Sequence, residues 1–395
     1  MNEQIDPEIT HSIETTLGHV GRPSCATYPF VNPPLVRAST VLFEHLADLT
    51  SGKAPYVYGR HGTPTSEALA SAIAEIEGAD GCVLTPSGLS AISTALLAFV
   101  SAGDHVLITD SAYGPTREVA EIVLRRLGVE VDYFRPGIGG GIAALMKPRT
   151  RVVYTEAPGS LTFEMEDVPA LAAAARAHGA VTIMDNTWAT PVYFRPLDHG
   201  VDVSLMAATK YIVGHSDAMI GTLAAGPRAW PELKRTYAAL GLFTGPDDMW
   251  LGLRGLRTLA IRLARHQESA LKVATWLAGR DDVARVLYPA LPDDPGHALW
   301  RRDFRGASGL FSIVLAAPHS QEAVAAMLDG LKLFGRGFSW GGFESLVIPS
   351  DPSRLRSITA WQAPGPLIRL HIGLEDPDDL IRDLDAGFSR LHRSA

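Results

Sequence analysis

Seven apolar runs of strand length follow one another through the first part of this chain. They are CVLT (82–85), HVLIT (105–109), VEVDYF (129–134), RVVYTE (151–156), AVTIMD (180–185), VSLMA (203–207) and MIGTLAA (219–225). Between most of them lie segments with helical spacing, at 67–77, 89–100, 116–127 and 168–178. Strands joined through helices pair in parallel, and a parallel sheet must be covered on both faces. The alternation therefore predicts a mostly parallel seven-stranded α/β sheet domain.

The pattern changes near residue 248. Leu256, Leu259, Ala260 and Leu263 recur at helical spacing, and Ala270, Leu271 and Ala274 continue the stripe. This predicts one long amphipathic helix leaving the first domain. Beyond it, FSIVLA (311–316) and LIRLHIG (367–373) read as strands, and 322–328 and 376–391 as helices, which makes a smaller C-terminal α+β domain. Before the alternation, the run NPPLVRASTVLF holds Pro33 and Pro34, which cannot continue a helix, and predicts an extended arm. The expected layout is an arm over 1–60, a sheet domain over 61–255 and a C-terminal domain over 256–395. The glycines at 137–141 break the GxGxxG spacing and read as a loop.

Composition excludes several function classes. The 35 basic and 43 acidic residues are interspersed, with no clustered basic stripe of the kind nucleic acid requires. Only Cys25 and Cys82 are present, far apart, which fits a reducing compartment better than a disulfide framework. The opening MNEQIDPEIT is polar and acidic, unlike a secretory leader. The longest apolar stretch, around 91–100, is too short to span a bilayer. A cytoplasmic protein with neither membrane nor nucleic-acid partner is expected. No HExxH or comparable spacing occurs among the thirteen histidines, so no metal is expected, and His215 reads as structural.

Ligands of open parallel sheets collect at the carboxyl ends of the strands. Gly88, Tyr113, Glu156, Asp185 and Lys210 all fall at such ends. Lys210 lies between Met206-Ala207-Ala208 and Tyr211-Ile212-Val213, poor company for an exposed charge, although a lysine after a strand often points into water. Burial would lower its pKa and free the amine as a nucleophile. Asp185 either bonds the backbone of the following turn or holds a ring nitrogen, and a buried carboxylate needs a positive partner. An amine that forms a Schiff base and a carboxylate for a pyridine nitrogen are what pyridoxal phosphate asks of a protein. Together they predict carbanion chemistry on an amino acid.

The remaining candidates are weaker alone. Ser87-Gly88 opens a helix, whose free N–H groups bind phosphate. Tyr113 is either a rim residue or a ring stacked on a cofactor. Tyr58 and Arg60 lie on the arm, where Arg60 could grip a phosphate or stay solvated. Arg369 alternates with apolar neighbours and needs an anion, either a substrate carboxylate or a structural acid.

Taken together, YGRHGTPT, PSGLSA, SAYGPT, EAPGS, DNTWATP, ATKYIVGHSDAMIG, FSWGGFESL and IRLHIGLED resemble the cysteine/methionine-metabolism family of fold-type I pyridoxal-phosphate enzymes. TKYIVGHSDAMIG, SWGGFESL and RLHIGLEDPDDLI look most like its bacterial β-eliminating carbon–sulfur lyases. The resemblance implies a cytoplasmic homotetramer, a dimer of dimers in which each site is completed by a neighbour's arm. It implies that Lys210 holds the cofactor and shuttles protons, that Asp185 binds the pyridine nitrogen and that Tyr113 stacks on the ring. Gly88, Leu89 and Thr209 would hold the phosphate, with Tyr58 and Arg60 reaching it from the neighbouring subunit. Arg369, assisted by Ser339 and Trp340, would bind the substrate α-carboxylate.

Two positions depart from the wider family. Ala207 stands where many relatives place a serine phosphate ligand. Ser160 stands where γ-acting relatives often carry asparagine, which tilts the expectation toward β-elimination. The implied reaction turns L-cystathionine into homocysteine, pyruvate and ammonia, in methionine biosynthesis. The alternatives are a γ-acting lyase or synthase of the same family and a non-catalytic cofactor-carrying regulator.

Overall fold

A computed structural model of the protein describes residues 11–393. The polar stretch 1–10, read above as no secretory leader, lies outside the described residues. The seven apolar runs become β1 (Gly81–Thr85), β2 (His105–Thr109), β3 (Glu130–Phe134), β4 (Thr150–Glu156), β5 (Val181–Asp185), β6 (Val203–Met206) and β7 (Gly221–Ala225). They form one sheet in the order β1-β7-β6-β5-β4-β2-β3. Only β7 runs against its neighbours β1 and β6; the other pairs are parallel. All five residues of β2 are buried, as in a sheet covered on both faces.

A second, smaller sheet is antiparallel. It comprises β8 (Val283–Leu287), β9 (Leu310–Leu315), β10 (Leu346–Ser350) and β11 (Leu367–His371), in the order β10-β11-β9-β8. The helix Leu259–Ala278 joins the two sheets. Its Leu259 and Leu263 pack in a cluster with Ile212 and Val213. Its Ala270, Val273, Ala274 and Leu277 pack with Phe311 and Ile368 of the small sheet. Each fully buried aliphatic side chain contributes roughly 1.5–3 kcal/mol, so one helix anchors both cores.

Three expectations change. The long helix is two helices, Pro246–Leu256 and Leu259–Ala278, broken at Arg257-Thr258. The glycines 139–141 open a 3₁₀ stretch, Gly139–Leu145, where the sequence suggested a loop. The arm is not wholly extended: helix Ile13–His19 buries Leu17, whose carbonyl accepts from Arg257 Nη1 at 2.8 Å. From residue 24 to residue 58 the chain is mostly exposed, with Phe30, Val31, Leu42 and Leu46 open to solvent. No helix among the described residues is long and apolar enough to cross a membrane.

Candidate active site

Lys210 sits in the turn that follows β6. Its neighbour Thr209 clasps Ile220 just ahead of β7: Thr209 N–H donates to the Ile220 carbonyl at 3.0 Å, and Ile220 N–H donates to Thr209 Oγ1 at 2.9 Å. The antiparallel β7 thus starts at the edge where the parallel strands end and runs back from it. Lys210 Nζ donates to Ser339 Oγ at 2.5 Å and lies 5.5 Å from the Trp340 ring centre. Burial, and then the Arg369 guanidinium, push its ammonium down to about 8, while Asp185 pulls the other way. A lysine so placed is a free amine near neutral pH far more often than an exposed lysine, whose ordinary value is about 10.4.

Asp185 ends β5 and is buried. Its Oδ1 accepts from Thr187 N–H at 2.9 Å and from Thr187 Oγ1 at 2.5 Å. Thr187 Oγ1 in turn accepts from Ala207 N–H at 2.9 Å, which ties the ends of β5 and β6 together. Burial raises the Asp185 carboxyl, opposed by the Thr187 bonds and by Lys210. Both Thr187 bonds fall on Oδ1, so Oδ2 is left for a further donor. Glu156 ends β4 in register with Asp185, and its Oε2 accepts from Tyr113 N–H at 2.8 Å. Burial, then the neighbouring Asp185, push the Glu156 carboxyl well above its ordinary range. Tyr113 is half-exposed, and its phenol is raised by burial first and Glu156 next, with Arg369 opposing.

Arg369 reaches the site from β11. Burial pushes its guanidinium down to about 10, and its Nη2 donates to the Ser339 carbonyl at 3.2 Å. Two half-buried cations, one depressing the other, favour an anion beside them.

Gly88 begins the helix Gly88–Ala98, capped by Ser87. A Cβ at Gly88 would stand 2.5 Å from the Ala207 methyl, so glycine is required by space. Ser87 Oγ takes the Ser90 N–H, and neither Gly88 N–H nor Leu89 N–H is spent on another protein group among the described residues. Such a helix start fits a phosphate. With the unspent Asp185 Oδ2 and the depressed Lys210 amine, these residues fit pyridoxal phosphate.

The structure therefore brings Lys210, Thr209, Asp185, Tyr113, Gly88, Leu89, Arg369, Ser339 and Trp340 to one edge of the large sheet. Tyr58 and Arg60 are not brought there. Arg60 Nη1 donates to the Ala238 carbonyl at 3.3 Å, and its Nη2 lies 2.9 Å from His61 Nε2, on the side of helix Trp230–Leu240. The Thr209 hydroxyl is already engaged with the Ile220 backbone. Sequence reasoning gave Thr187 no role; its signal was the Asp185-Asn186-Thr187 spacing, a local side-chain-to-backbone turn. Glu156 was placed at a strand end without a task. Among the described residues no three His, Cys, Asp or Glu side chains gather as metal ligands.

The family of Cys/Met metabolism PLP-dependent enzymes matches residues 14–389. The chain is 46% identical over 389 residues to the cystathionine beta-lyase MetC of Escherichia coli, covering 96% of this chain and 98% of that protein. It is 54% identical over 382 residues to a Rhizobium johnstonii protein that bears the beta-lyase name provisionally, covering 95% and 96% of the two chains. In structure it is similar to the cystathionine gamma synthase of Xanthomonas oryzae pv. oryzae, solved with cystathionine. That match has a TM-score of 0.89 and 33% identity over 98% of this chain and 100% of that one.

Proposed function

This chain belongs to the Cys/Met metabolism PLP-dependent enzymes, and on that premise we propose that it is a carbon–sulfur lyase that cleaves L-cystathionine by β-elimination. The observation that carries the reading is the half-buried Lys210 amine, held against Ser339 Oγ at 2.5 Å and depressed to about 8 by burial first and Arg369 next, against the pull of Asp185. The preference for β- over γ-chemistry is supported by 46% identity to a beta-lyase against 33% to a gamma synthase.

Pyridoxal phosphate, when bound, supplies an electron-withdrawing ring that stores the charge left at the substrate α-carbon. Lys210 would hold the cofactor, and its Nζ, when free, would take the substrate Cα proton. The Ser339 hydroxyl orients that nitrogen. Asp185 holds the pyridine nitrogen with Oδ2, while Thr187 fixes its other oxygen. Gly88 and Leu89 hold the phosphate from the helix start, with Thr209 beside them, and the partner subunit's Tyr58 and the partner subunit's Arg60 complete the grip. Tyr113 stacks on the ring. Arg369 takes the substrate α-carboxylate, assisted by Ser339 and Trp340. Lys210 then returns its proton to the departing sulfur as general acid. The Cβ–S bond breaks, homocysteine leaves as a thiol, and the three-carbon remainder takes up water to give pyruvate and ammonia.

A homotetramer built as a dimer of dimers belongs to this proposal. It is supported by the exposed arm, where Leu42 is 90% and Phe30 71% open to solvent, apolar area that a second chain would cover. Incubation of the purified enzyme with L-cystathionine, with the keto acid identified by mass, tests the reading. Pyruvate with homocysteine, abolished in Lys210→Ala, is the expected result. 2-Oxobutyrate with cysteine would keep the family and move the cleaved bond to Cγ. Bound cofactor with neither product would leave a non-catalytic carrier.

A further inference from the structure

The turn that touches Lys210 is strained. Ser339 has φ +82°, in the left-handed region, which costs a non-glycine residue on the order of 1–3 kcal/mol. Gly341 follows at φ +87°, where a Cβ would stand 2.8 Å from the Lys210 carbonyl carbon and 3.0 Å from its Cα. Strain of this kind persists only where neighbours over-determine it. Here one strand supplies both restraints. Arg369 and His371 lie two residues apart on β11 and so share a face. Arg369 holds the Ser339 carbonyl, and Gly341 N–H donates to His371 Nε2 at 3.1 Å.

That second bond fixes the imidazole proton. His371 Nε2 faces both the Gly341 N–H and, at 3.2 Å, the Gly342 carbonyl. A proton on Nε2 would serve the Gly342 carbonyl but orphan the buried Gly341 N–H, whereas a lone pair there satisfies that N–H. Burial, with His266 adding to it, keeps the His371 ring neutral, far below its ordinary range. With Nε2 accepting from Gly341, the proton falls on Nδ1, which is buried and has no protein partner. His266, on the helix Leu259–Ala278, is the complement. Its Nδ1 lies 2.8 Å from the Ile372 carbonyl, which can only accept, so its Nε2 is a bare acceptor, also buried and without a protein partner. The two rings lie 5.2 Å apart, centre to centre. A buried donor and a buried acceptor left unpartnered on neighbouring rings are groups that one internal water can satisfy together.

We propose that His371 is the positioning residue of the Lys210 turn. Carrying its proton on Nδ1, it accepts from Gly341 and holds Ser339 and Trp340 against the amine, and one internal water shared with His266 locks it in that form. Its effect on turnover rests on the lyase reading; its protonation does not.

Neutron diffraction from crystals of the cofactor-loaded enzyme in heavy water reads the proton directly. Deuterium on Nδ1 of both histidines, with a water between the rings, is expected. Deuterium on His371 Nε2, or rings with no water between them, overturns the proposal. In solution, His371→Leu removes the acceptor and His371→Gln keeps one. His371→Leu is expected to lower kcat about 10- to 100-fold, as a misplaced catalytic group does, with KM changed less than about threefold. The same variant should shift the pH dependence of the bound cofactor's absorption, and His371→Gln should recover most of both effects. Unchanged kcat and absorption in His371→Leu, or equal losses in the two variants, would remove the positioning role. Wild-type enzyme that leaves cystathionine intact would sink the lyase reading alone, because diffraction and absorption need no substrate.

Discussion

Asp185 and Glu77 are both buried carboxylates packed against the seven-stranded sheet, each with a hydroxyl donor and a cation in reach, yet the balance in their surroundings differs. Asp185 lies at the strand edge with two bonds from Thr187, the Lys210 cation in reach and one oxygen unspent. Glu77 ends the helix Pro64–Glu77, where the helix dipole disfavours negative charge. Its Oε1 accepts from Ser204 Oγ at 2.8 Å, and its Oε2 is buried with no partner. Burial pushes its carboxyl up to about 8, against the Ser204 bond and the Arg195 cation. The contrast separates burial from function. Asp185 has two bonds on one oxygen against its burial, while Glu77 has a single bond and an unpartnered second oxygen, and is pushed up to about 8.

Changing Asp185 should do the most damage. Asp185→Asn is expected to lower kcat/KM about 10²- to 10³-fold, as loss of a charge aimed at the reacting centre does, and to weaken cofactor retention, while the cofactor-free protein unfolds at nearly the wild-type temperature. Steady-state kinetics beside thermal melts would measure both; intact activity would dissolve the distinction. Thr187→Val removes the hydroxyl donor to Oδ1 while keeping shape and the backbone N–H bond, and should cost about tenfold or somewhat more, since a bond to a charged group contributes about 1.5–3 kcal/mol. Glu77→Gln should leave kcat/KM within about twofold, the usual spread for a change away from the chemistry.

Its effect lies in pH dependence. The folded carboxyl of Glu77 is raised above the unfolded value near 4.5, so the native state binds the extra proton. That contribution is fully present below pH 4.5 and is lost as pH rises toward 8. Urea unfolding between pH 5 and 8 should therefore show wild-type stability falling relative to Glu77→Gln. Parallel curves would mean that Glu77 titrates normally and that the contrast with Asp185 is one of position only.

Legibility from sequence followed burial. The seven runs of the large sheet were readable because strands covered on both faces are continuously apolar, as in His105–Thr109. In the small sheet the two central strands, β9 and β11, were readable, and the two edge strands were missed. β8 carries exposed Arg285 within VARVL, and β10 carries Pro349, which only an edge strand tolerates. The break at Arg257-Thr258 was hidden because Leu256 and Leu259 keep a helical spacing across it. At the site, Lys210 and Asp185 stood out by chemistry against apolar neighbours. Thr187 and His371 act through bonds set by strand ends and by a second sheet, which no local pattern carries.

The contact between Gly88 and Ala207 makes two positions, 119 residues apart, one unit of inheritance. Gly88 has no positive φ to forbid alanine; the obstacle is the Ala207 methyl 2.5 Å from where the new carbon would lie. A drifting lineage could enlarge position 88 only after position 207 had shrunk to glycine. The reverse order passes through a protein in which the two carbons overlap, so only one of the two orders is open.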